Sequence, residues 1–98
     1  MANFLELIKS NKPVLVNFYT VWCGPCKALK PVLETVTQNV GNQATVLSVD
    51  LDKNLAAARK FQINNVPTLI LFKNGKVAWR KTGVVPAEDI ERAIQKHS

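Results

Sequence analysis

Cysteine and histidine are both scarce in this chain, and the scarcity removes several kinds of protein at once. There are two cysteines and one histidine in 98 residues, and both cysteines fall within one four-residue stretch. A structural zinc site wants four ligands, and beyond Cys23 and Cys26 only His97, at the C-terminus, is left to help. No metal is therefore expected. Long apolar runs are missing too, and nothing approaches the roughly 20 residues that a membrane-spanning helix needs. A secretory leader is not evident, because the stretch Met1–Lys9 is amphipathic and carries Glu6 in its middle. A cytoplasmic location is the resulting expectation. Internal repeats, linkers and low-complexity segments are also absent, which leaves one domain over residues 1–98.

What remains is ordinary in composition and unusual in charge. Hydrophobic residues make up 47% and charged residues 20%, as in a soluble globular chain. The net charge is +6, which raises the question of nucleic acid. The basic side chains are scattered from Lys9 to Lys96, with no dense run and no aromatic-studded strand beside them. The pattern describes a solvated basic surface that steers acidic protein partners, and no nucleic-acid partner is expected.

Hydrophobic periodicity divides the chain into alternating elements. Phe4, Leu5, Leu7 and Ile8 share one helical face, so a helix is expected over about residues 2–10, ended by Asn11-Lys12-Pro13. Val14–Tyr19 is a continuous apolar run, the pattern of a central strand buried on both faces. A helix over about 25–39 follows, with Leu29, Val32, Leu33 and Val36 at helical spacing and a kink expected at Pro31. Residues 44–49 read as a second strand, parallel to the first through a right-handed crossover. Asp52 is a candidate N-cap for a helix over 53–61. Thr68–Phe72 is another buried strand, Asn74-Gly75 a hairpin turn, and 77–82 the returning strand. Pro86 suits the first position of a last helix whose core face is Ile90, Ala93 and Ile94. The order α-β-α-β-α-β-β-α is that of an α/β domain.

The chemistry-bearing motif sits at the first strand-to-helix junction, as Trp22-Cys23-Gly24-Pro25-Cys26. Thiols at i and i+3 can close into a small disulfide ring and reopen with little backbone movement. A C-x-x-C near a βαβ pattern in a cytosolic protein reads as a redox motif. The helix start favours the first cysteine as the thiolate, through unpaired N–H groups and the macrodipole. Two bland readings stand beside this one. Half a zinc site lacks the other ligands, and a permanent staple this short would constrain little chain.

With these residues in view the chain resembles the thioredoxin family. The resemblance rests on Trp22–Lys27, Pro31, Val66-Pro67-Thr68, the hairpin Phe72–Gly75 and Gly83, in the family's order over about Asn3 to Lys96. It implies a thioredoxin fold with a central mixed sheet of about four strands, the family's first strand being missing or vestigial. It also implies dithiol–disulfide exchange with protein disulfides, Cys23 as nucleophile and Cys26 as resolving thiol. The substrate groove would be shaped by Trp22, Gly24, Pro25, Val66, Pro67 and Gly83, with a cis bond before Pro67 and the Val66 backbone pairing with the substrate. No cofactor is implied on this chain; NADPH and FAD belong to the thioredoxin reductase that would re-reduce it. A monomer is the default. A thioredoxin-fold oxidase or isomerase, or a scaffold or chaperone subunit, remain as alternatives.

Two positions depart from the family. Asn17 stands where most members carry a buried aspartate beneath the cysteines, and Ser48 where many carry a lysine near it. The resemblance makes both candidates for a proton relay in altered form, a neutral polar pair replacing an acid and its cation. Tyr19 replaces a common tryptophan and receives no role.

Overall fold

The computed structural model describes residues 4–98. Its elements are α1 (Phe4–Leu7), β1 (Val14–Tyr19), α2 (Gly24–Val40), β2 (Thr45–Asp50), α3 (Leu55–Lys60), β3 (Thr68–Lys73), β4 (Lys76–Thr82) and α4 (Ala87–Lys96). The expected helix over 2–10 lies partly outside the described residues, and what is described of it is one turn.

β1 is the strand on which everything else is hung. Five of its six residues are buried, as its uninterrupted apolar run requires. It pairs in parallel with β2 and antiparallel with β3, and β3 pairs antiparallel with β4. The sheet order is β2-β1-β3-β4, so the described residues form the four-stranded mixed sheet anticipated above. Asn74 and Gly75 both have positive φ, 55° and 81°, as a two-residue hairpin turn demands.

Each face of the sheet has its own core. On one, Leu29, Leu33 and Val36 of α2 and Ile90 and Ile94 of α4 pack onto Leu15, Leu69 and Leu71. On the other, Ile8, Ala57 and Ile63 cover Val16, Phe18, Ile70 and Phe72. Phe61 binds this second face together, 5.9 Å from the Phe18 ring and 5.3 Å from the Phe72 ring between centroids. Arg80 reaches across from β4 and donates to the carbonyls of Phe61 and Gln62, which holds the end of α3 against the sheet.

Two local expectations are corrected. Asp52 does not cap α3: the Asp50 carboxylate accepts the Asp52 N–H at 2.9 Å and starts a 3-10 turn, Leu51–Lys53. The Asn54 side chain then donates to the Asp50 carbonyl at 2.9 Å, so α3 begins only at Leu55. Pro86 sits one position before the helix, as the N-cap, and its carbonyl accepts from Asp89 and Ile90. Helix α2 runs as one helix from Gly24 to Val40 with Pro31 inside it, close to the expected span.

Helix α2 carries the cysteine motif, and its seat on the sheet depends on side chains such as Leu29, which is fully buried. Leu29→Ala is expected to lower the unfolding free energy by about 2–5 kcal/mol. Urea denaturation followed by circular dichroism would measure the loss.

Candidate functional site

Strand register brings three loops to one end of the sheet. Phe18 pairs with Thr68, and Thr68 pairs with Thr82. The chain leaving β1 toward the cysteines, the chain entering β3 through Pro67, and the chain leaving β4 at Gly83 therefore emerge side by side. The peptide bond between Val66 and Pro67 is cis, as the motif led one to expect. The Gly83 N–H donates to the Pro67 carbonyl at 2.8 Å, and the Thr68 hydroxyl donates to the Asn65 carbonyl at 2.6 Å. The first bond ties the proline loop to the end of β4, and the second closes the loop on itself.

Cys23 is the N-cap of α2, and it caps with its sulfur. Its backbone is extended, with φ −100° and ψ 114°, and its Sγ accepts the backbone N–H of Cys26 at 3.0 Å. Pro25 has no N–H to offer, so the Cys26 amide is the donor the helix start can aim at the sulfur. The two sulfurs are joined as a disulfide, with the Cα atoms 5.2 Å apart.

Cys23 and Cys26 do not differ in exposure. The two residues are 8% and 7% exposed, because the closed ring covers both sulfurs within the first turn of α2. Exposed apolar surface lies instead on the loops around them. Trp22 is 87% exposed, and Val21 and Val84 are exposed as well. Motif reading passes over the two valines, whose only signal is an apolar residue beside Trp22 and another beside Gly83.

The other candidate residues separate by environment. Pro67 is buried and Val66 half-buried, leaning on the core beneath. Gly83 has φ +97° and open space where a Cβ would stand, so it is the backbone conformation and not crowding that calls for glycine there. A Cβ on Gly24 would also meet nothing, and no feature of the structure requires glycine at that position.

Asn17 lies in β1 opposite Ser48 of β2. It is 6% exposed, and its side-chain Oδ1 is buried without a hydrogen-bond partner. Ser48 is exposed and does not supply that partner, so the two do not form a hydrogen-bonded pair. Both line a groove of about 870 Å3 between α2 and β2, whose wall also includes Cys26, Lys27 and Leu33. An unpaired amide oxygen and the inner cysteine thus share one cavity. Among the described residues no group of three or more His, Cys, Asp or Glu side chains is placed to hold a metal ion.

Known proteins resemble this chain in sequence and in fold. The family profile for thioredoxin matches residues 1–96. The chain is 42% identical over 95 residues to a chloroplastic thioredoxin Y of rice (Oryza sativa), which covers 96% of this chain and 56% of that protein. It is 48% identical over 80 residues to a bifunctional thioredoxin reductase/thioredoxin of Mycobacterium leprae, covering 82% of this chain and 18% of that protein. Among solved structures, a mutant thioredoxin from Halobacterium salinarum superposes with a TM-score of 0.88 at 32% identity, covering 99% of this chain and 84% of the other. A sulfur-capped helix start, a cis-proline loop beside it and a family match along the chain agree, and the chain belongs to the thioredoxin family, with the cysteine pair of a thiol–disulfide oxidoreductase.

Proposed function

We propose that the protein reduces disulfides in other proteins, with Cys23 attacking and Cys26 resolving. The observation that carries this reading is the backbone N–H of Cys26 held 3.0 Å from the Cys23 sulfur at the start of a 17-residue helix. When the pair is reduced, that amide and the helix dipole favour a thiolate at Cys23 over one at Cys26, which lies within the helix. The Cys23 thiolate attacks one sulfur of a substrate disulfide, forms a mixed disulfide and releases the substrate's other sulfur as a thiolate, which takes up a proton. Cys26, losing its proton, then attacks the Cys23 sulfur. The intramolecular disulfide closes, and the second substrate thiol departs. Two electrons pass from the dithiol to the substrate.

The apolar surface of Trp22, Val21 and Val84 supports docking of a partner beside the ring. The Val66 backbone at the cis-proline loop is the proposed pairing edge for the substrate chain, and Gly24, Pro25 and Gly83 complete the proposed groove. For the return of electrons we propose a thioredoxin reductase. The Mycobacterium leprae relative supports this, since its name joins reductase and thioredoxin in one chain. A reducing compartment such as the cytoplasm suits a dithiol donor, and among the described residues no helix is long and apolar enough to cross a membrane.

Asn17 is proposed to act beneath Cys26 without titrating. Its unpaired Oδ1 is an acceptor for the Cys26 thiol in the reduced state, while the proton itself leaves through water or Cys23. Ser48, exposed on the groove rim, is proposed only to keep that wall polar.

Two experiments follow from this assignment. Cys26→Ser should accumulate mixed disulfides with a disulfide-containing protein, visible on non-reducing gels, whereas Cys23→Ser should accumulate none and should lose dithiothreitol-driven insulin reduction. Retained activity in Cys23→Ser would favour a scaffold or chaperone role. Asn17→Asp should speed mixed-disulfide resolution at neutral pH by roughly tenfold, in stopped-flow fluorescence. The same substitution should destabilise the oxidised protein by about 2–4 kcal/mol at pH 7, because the carboxylate would be desolvated. Burial raises such a carboxyl above its unfolded value of about 3.9, so the cost is full above the folded pKa and disappears as the pH falls below the unfolded one. Urea midpoints for the two proteins across pH 4–8 would check the sign.

A further inference from the structure

The sheet has two edges, and only one of them is defended. At β4 three of the seven residues are Lys76, Arg80 and Lys81, a charged edge of the kind that discourages strand addition. At β2 the residues Thr45–Val49 carry no charge, no proline and no bulge, and no described strand pairs with the outer side. The Thr45 N–H donates inward to the Pro13 carbonyl at 2.9 Å. By the alternation of a parallel ladder, Val46 and Ser48 therefore turn their N–H and C=O groups outward. The next outward carbonyl, that of Asp50, is already taken by the Asn54 side chain.

The space beside this edge has the shape of a strand. On one face of the sheet lies the groove of about 870 Å3, which runs along α2 past Val46 and Ser48. On the other lies a second groove of about 300 Å3, walled by Phe4, Leu7, Leu47 and Val49. A strand added to β2 would send successive side chains into the two grooves alternately, which neither a helix nor a compact ligand would do. Both grooves offer apolar wall.

Charge selects the occupant. Lys27 and Lys30 line the larger groove and Lys53 the smaller, all three exposed. Among the described residues the ion pairs are Lys9–Glu6 and Arg92–Asp89, so these three lysines have no carboxylate partner. Against them stand Glu34, and Asp50, whose carboxylate is occupied by the Asp52 N–H. A second copy of the chain would bring another net charge of +6 to the same place.

We propose that the β2 edge is a docking site for an extended segment of a partner protein, with apolar residues at alternate positions and carboxylates flanking them. The segment pairs with the main chain of Val46 and Ser48, places its side chains in both grooves and meets Lys27, Lys30 and Lys53 with its acidic ends. The larger groove also reaches Asn17 and Cys26, but the β2 edge itself lies on the side of β1 away from β3 and its cis-proline loop, and the proposal stands whether or not the reductase assignment does.

The test is a titration of the 15N-labelled protein with the peptide Glu-Glu-Val-Thr-Val-Thr-Val-Glu-Glu and with the same core flanked by lysines. The acidic peptide should shift the Val46 and Ser48 amide resonances saturably and slow their hydrogen exchange, and the lysine-flanked peptide should bind at least about tenfold more weakly at low salt. Val46→Pro removes an outward N–H and no ladder bond, a position where an edge strand tolerates proline; it should abolish binding and leave insulin reduction unchanged. The double reversal Lys30→Glu with Lys53→Glu tests the charge separately and should exchange the preference between the two peptides. No saturable shift at millimolar peptide would overturn the proposal. So would shifts confined to the Trp22 and Val66 loops, or sedimentation showing the edge already covered by a second copy.

Discussion

The hydrogen bond from the Cys26 amide to the Cys23 sulfur is the contact on which the chemistry of this protein depends. A helix start has unsatisfied N–H groups that a side chain must meet, and an oxygen from Ser, Thr, Asp or Asn is the usual answer. Here a sulfur takes that place, so the group that satisfies the helix is also the group that would react. Capping energy and thiolate stabilisation thereby become the same interaction. The proline between the cysteines contributes by leaving the Cys26 amide as the donor directed at the sulfur.

That contact is useful only because the sheet holds it still. β1 is buried on both faces and bonded on both edges, and the cysteine loop leaves its end directly. The cis-proline loop and Gly83 are joined to the same end by strand register and by the bond between the Gly83 N–H and the Pro67 carbonyl. Three loops held by adjacent strands make one continuous surface, and the exposed Trp22 stands beside the cysteines on it. Buried strands below and exposed apolar side chains above suit the proposed role of meeting protein partners.

Much of this was legible in the residues, for physical reasons that differ by element. Val14–Tyr19 has no polar alternation and could hardly be anything except a central strand, and Asn74-Gly75 admits few turns besides the one it forms. The C-x-x-C motif carries its own geometry, since residues i and i+3 at a helix start must lie close. What escaped was decided by particular contacts that residue patterns do not announce. Asp52 looks like a cap in isolation, but Asp50 reaches its amide first and Asn54 closes the turn behind it. The near-equal burial of the two cysteines depends on the closed disulfide, which no local pattern encodes. The unpaired Asn17 Oδ1, the exposure of Ser48 across from it and the open groove between α2 and β2 all depend on packing. Composition says nothing of them.

The most direct test of the account is the reduction potential of the Cys23–Cys26 pair, measured by equilibrating the protein with graded thiol–disulfide buffers and counting free thiols. The proposed electron flow to protein disulfides predicts a value near or below about −250 mV. A value above about −200 mV would contradict the reductase assignment and mark the protein as an oxidase or isomerase.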